Sequence, residues 1–81
     1  MELKDTVELM LSDDYKDRFK AEYYQTKIRY DKLHKIVTKC EAGTLDFELT
    51  TPLCILINQK RDMGKYLHDL EIRAEIEKIE L

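Results

Sequence analysis

Eighty-one residues with a net charge of −3, two cysteines and no tryptophan make a small chain with room for only a modest core. The two cysteines do not make a disulfide framework, no secretory leader is visible, and the longest apolar run, Leu53 to Ile57, is far too short to cross a bilayer. A charged fraction of 38% with only two Gly and one Pro favours helix almost throughout, so the expected class is all-α.

The elements follow in chain order. Leu3, Val7, Met10 and Leu11 give a short amphipathic turn or two within residues 1–12. Ser12-Asp13-Asp14 breaks it and supplies cap acceptors and negative charge for a long helix over 13–42. Along that helix Phe19, Tyr23, Thr26, Tyr30, Leu33, Val37 and Cys40 recur at alternating steps of four and three, a seam packed lengthwise against partners. Burial of Leu33 is expected from this seam. Gly43 stops the helix, because it takes a left-handed cap without steric cost.

Residues 43–51 read as a connector, with Leu45, Phe47 and Leu49 alternating as if tucked onto the helices. Thr51-Pro52 restarts helix, with Thr as cap and Pro at the first helical position, over 52–80. Leu53, Leu56, Met63, Leu67, Leu70 and Ala74 form one stripe, interrupted by Lys60. Ile72, Ile76 and Ile79 form a second stripe facing elsewhere. Residues 1–81 are therefore expected to form one helical domain, a short N-terminal helix plus two long helices in an antiparallel hairpin. Two apolar faces on one helix point to assembly as a homo-oligomer.

No nucleophile elbow, phosphate loop or metalloprotease helix occurs, and an enzyme is not expected. His34, His68, Cys40 and Cys54 match no usual zinc-ligand spacing, so neither metal nor cofactor is expected. The unusual feature is charge. Residues 15–40 carry eight lysines and arginines against three acids, leaving six cations and fourteen acids for the rest of the chain. Lys32, Lys35 and Lys39 share a face, and Arg29 leads into it. Arg offers a planar fork to phosphate, Lys a point charge, and Tyr a ring on which a base stacks. The same charges are also accounted for by pairing with the acidic last helix of a neighbouring subunit, or by a solvated face. Long nucleic acid fits poorly with a net negative chain of pI near 5.4.

One family shares these residues. Arg18-Phe19-x-x-Glu22-Tyr23-x-x-Thr26-Lys27-x-Arg29-Tyr30-x-Lys32-Leu33 resembles the long helix of the small phage anti-CBASS sponges, which blunt cyclic-oligonucleotide-based antiphage signalling. Leu56-x-x-Gln59-x-x-x-Met63-x-x-Tyr66-Leu67-x-x-Leu70-x-x-Arg73 is similar to their closing helix, and Glu41 to Phe47 to a connector among phage relatives. The likeness covers about residues 13–75. It implies a compact homohexamer in the host bacterial cytoplasm that holds cyclic dinucleotides in pockets shared between protomers, with separate cyclic trinucleotide pockets in some members, and cleaves neither. It further implies that Tyr15 stacks on a base and that Arg29 contacts phosphate, with Lys27 and Lys32 as neighbouring alternatives. Arg61 or Arg73 would serve a trinucleotide site. The competing reading is a structural or protein-interaction hairpin with no small-molecule ligand.

Overall fold

The computed structural model describes all residues, Met1 to Leu81. A 3-10 turn at Leu3–Thr6 runs into a single α-helical turn, α1, at Val7–Met10. Helix α2 follows at Tyr15–Ala42 and helix α3 at Leu53–Glu77. There are no strands, so the chain is all-helical, as its composition predicts.

Local chemistry sets each boundary. Asp14, in extended conformation, accepts from the Lys16 amide through its carboxylate at 3.0 Å and so caps α2. Ser12 accepts from the Asp14 amide at 3.1 Å and donates to Asp17 at 2.8 Å, holding an acid in the first turn beside the positive helix end. At the other end Gly43 sits at φ 75°, and the Thr44 amide reaches back to the Lys39 carbonyl at 2.9 Å.

Helix α3 departs from expectation at both ends. Thr51 makes no capping hydrogen bond, and the helix begins at Leu53 with Pro52 as the flanking residue, where the missing proline N–H costs nothing. It stops at Glu77 because Lys78 turns left-handed at φ 57°, the one non-glycine residue to do so. The Ile79 amide then bonds the Ala74 carbonyl at 2.9 Å, and this reversal swings Ile79 inward.

The two long helices pack antiparallel. The start of α2 lies beside the end of α3, where Tyr15 meets Arg73 and Tyr23 meets Glu71. Further along, the Tyr30 ring rests on Gly64, so closely that a Cβ there would stand 3.3 Å from it. The core gathers at the first of these ends: Phe19 and Tyr23 from α2 pack with Leu67, Leu70, Ala74 and Ile79.

The seam of α2 is the one the spacing predicts, with Phe19, Tyr23 and Val37 buried and Thr26, Tyr30, Leu33 and Cys40 half-buried. Leu33 is thus less enclosed than the seam implied, although Val37, one turn nearer the loop, is 1% exposed. The second stripe on α3 is corrected. Ile72 and Ile76 are exposed, but Ile79 joins the core because the left-handed Lys78 takes it off the helical phase. In the connector Leu45 and Leu49 are half-buried, whereas Phe47 is not tucked in and stays 54% exposed.

The N-terminal segment docks on α2. Thr6 is fully buried. Its hydroxyl donates to the Leu3 carbonyl at 2.7 Å and accepts from Gln25 at 2.9 Å. Ile28 and Lys32 of α2 share a shallow cleft with Met1 to Lys4. No helix is long and apolar enough to cross a membrane.

Candidate functional site

Tyr15 is the first residue of α2, and its position at the helix start leaves the ring half in water. Its hydroxyl accepts from Arg73 Nη2 at 2.7 Å. The same guanidinium lies over the Phe19 ring, 4.9 Å from the centroid, and its Nε is 3.5 Å from Glu77. Phe19 and Tyr15 are themselves neighbours, with centroids 6.2 Å apart and rings tilted by 58°. Desolvation works against the Arg73 charge, but the Tyr15 oxygen and then the Glu77 carboxylate outweigh it, so the guanidinium is held above its ordinary value. A planar cation over an aromatic face keeps its remaining N–H groups in one plane, where they can meet an anion.

Beneath this pair, the Tyr23 hydroxyl donates to Glu71 at 2.7 Å. Burial, then the hydrogen bond and charge of Glu71, push the Tyr23 phenol up to about 12. The bond ties α2 to α3 eight residues, about 12 Å, further along α2 than the Tyr15–Arg73 contact.

The other candidate cations lie elsewhere in the protomer. Arg29 is fourteen residues from Tyr15, about 21 Å along α2, exposed and without an ion-pair partner. Lys27 bonds Asp31 at 2.9 Å and stands 5.6 Å above the Tyr30 ring, so its charge is partly engaged. Lys32 is exposed beside the N-terminal segment. Arg61 donates to Asn58 at 2.6 Å and lies about 18 Å along α3 from Arg73. One protomer therefore unites Tyr15 with Arg73 and leaves Lys27, Arg29, Lys32 and Arg61 apart from them.

Phe19 and Glu77, the stacking floor and the ionic tether of Arg73, were not legible as site residues. Phe19 reads as seam, and the i,i+4 spacing of Arg73 and Glu77 was the one local signal for the tether. The largest cleft, about 990 Å³, opens at this same end of the hairpin. Lys16, Lys20 and Lys78 share its walls with Glu71, Glu75 and Glu80, a balance that gives it no preference for an anion. No group of three or more His, Cys, Asp or Glu is placed to hold a metal.

A family model, Sequestin, matches residues 13–76, from the cap of α2 to the last turn of α3. No curated protein and no solved structure matches. Both long helices and the connector fall inside the matched segment, and the chain belongs to the sequestin family, the phage anti-CBASS sponges that its two helices resemble.

Proposed function

We propose that this protein sequesters cyclic oligonucleotide second messengers in the host bacterial cytoplasm, as a homohexamer that binds the messenger without cleaving it. The observation that carries the reading is the family membership over both long helices, since sequestins are sponges rather than enzymes. The geometry supports it in three ways. Tyr15 offers an exposed ring whose hydroxyl is held by a guanidinium, which suits a base beside a phosphate. Arg29 carries an uncompensated charge on the protomer surface, in contrast to Lys27. Only nine of 81 residues are buried, while Leu11 and Ile76 stand 73% and 74% exposed, so the missing core is best supplied by further copies of the chain.

In this reading Tyr15 stacks on a base, and Arg73 holds the Tyr15 ring and adds a donor for phosphate. Arg29 of an adjacent protomer neutralises the phosphate, with Lys32 near it. Lys27 is the weaker choice because Asp31 already engages it. Arg61, remote from Tyr15, is left for a separate cyclic trinucleotide pocket. A sponge needs affinity and slow release, which stacking and charge-assisted hydrogen bonds provide without any catalytic group.

The test is calorimetric titration with a panel of cyclic di- and trinucleotides, repeated with Tyr15→Ala and Arg29→Ala. Sedimentation reports assembly of each variant. Tight binding that both substitutions weaken in folded, assembled protein supports the function and the residues. Binding that survives both removes the residue assignment. An absence of binding to the whole panel favours the protein-interaction hairpin instead.

A further inference from the structure

The loop end of the hairpin carries a cleft of about 270 Å³, and of its lining the sponge reading uses only Lys32. Lys32, Lys35 and Lys39 line it from α2, and Asp46 and Phe47 close it from the connector. The three lysines stand at steps of three and four on one helix face, and none of them takes part in an ion pair. Like charges at this spacing repel weakly in water, and an anion among them relieves that repulsion. Asp46 is the one acid in the lining, which leaves a surplus of positive charge in a chain that is negative overall. Phe47 stays 54% exposed beside these cations rather than packing onto the hairpin.

We propose that this cleft is a second ligand site, one that takes a single nucleotide unit. The lysine ammoniums hold the phosphate as point charges, and the Phe47 ring stacks on the base. Asp46 accepts from a ribose hydroxyl or an exocyclic amine, which explains an acid at the edge of a cationic site. The volume falls just below the roughly 300–1,000 Å³ of drug-sized ligand sites. It suits one base with its phosphate and is small for a cyclic dinucleotide. The inference does not rest on the sponge reading, because it uses none of Tyr15, Arg29 and Arg73 and shares only Lys32 with it.

The experiment uses full-length protein carrying Tyr15→Ala, so that the other proposed site is weakened. Adenosine 5′-monophosphate and inorganic phosphate are titrated in parallel by calorimetry at low ionic strength. The nucleotide is expected to bind once per protomer, about 5- to 150-fold tighter than phosphate, the factor a stacked base contributes. Adding Phe47→Ala should abolish that advantage and leave phosphate binding unchanged, whereas Phe47→Tyr should keep it. Lys35→Gln with Lys39→Gln should weaken both ligands. Circular dichroism and sedimentation establish that each variant is folded and assembled. Absence of nucleotide binding overturns the proposal, as does phosphate binding as tightly as nucleotide or binding indifferent to Phe47 and the lysines. Cyclic-nucleotide titration of the unaltered protein tests the sponge reading separately.

Discussion

The Arg73 guanidinium donates to the Tyr15 hydroxyl at 2.7 Å, joining two residues 58 positions apart at the open end of the hairpin. The bond holds the tyrosine through its oxygen and leaves the ring half in water. Because Phe19 supports the guanidinium from beneath, the pair is braced by the core without being buried in it.

Ring and hydroxyl can therefore be separated by substitution. Tyr15→Phe should keep most of the cyclic-nucleotide affinity, since stacking survives, and should change stability by no more than about 0.5 kcal/mol at this exposed position. Tyr15→Ala should lower affinity about 5- to 150-fold. Arg73→Lys should behave more like Arg73→Ala than like the parent, because an ammonium cannot lie flat on Phe19 while donating to Tyr15. Calorimetric titration of the four variants separates these outcomes.

The Tyr23–Glu71 bond predicts a pH dependence on the alkaline side. The folded phenol is raised from 10.0 to about 12, so its contribution is complete below the unfolded value and is lost as pH rises from 10 through about 12. Deprotonation there sets a phenolate against a carboxylate. Tyr23→Phe should cost about 1 kcal/mol at neutral pH, with Glu71 exposed and free to hydrate, and should lack this part of the alkaline loss. Urea unfolding midpoints across the alkaline range, compared for the two proteins, report the difference.

Leu70 is 1% exposed at the centre of the small core, and Leu70→Ala should cost about 2–5 kcal/mol. Leu33→Ala, at a half-buried seam position, should cost less than Leu70→Ala. Chemical denaturation of both variants under one condition checks the order, and equal losses would mean that Leu33 is as enclosed as Leu70.

The two helix ends make opposite predictions. Gly43→Ala puts a Cβ into the left-handed region, with nothing nearby to clash, and should cost about 1 kcal/mol through backbone strain alone. Lys78 already bears that strain at φ 57°, so Lys78→Gly should raise stability by somewhat less than about 1 kcal/mol, part of the relief being offset by the greater freedom of unfolded glycine. Thermal melts of the two variants should shift in opposite directions.

Much of the fold was legible because its determinants are local. The four-three spacing from Phe19 to Cys40 marks the α2 face that meets α3, Ser12-Asp13-Asp14 opens α2, and Gly43 closes it. The failures were also local in appearance but tertiary in cause. Ile79 has the spacing of a second helical stripe, yet a left-handed lysine that no sequence rule singles out delivers it to the core. Thr51 has the composition of a cap and makes no cap bond. Phe47 alternates like a tucked residue and remains exposed beside the lysines.

The sequence by itself determined the helical class, the packed face of each long helix and the family, because periodicity, end signals and residue pattern are properties of the chain read in order. It narrowed the ring and the cations to a handful but could not pair them. That Arg73 rather than Arg61 meets Tyr15 was decided by the tertiary structure alone. The meeting depends on the antiparallel register of α3 on α2, anchored where Tyr30 rests on Gly64, and spacing within one helix carries no information about which turn of the next lies opposite.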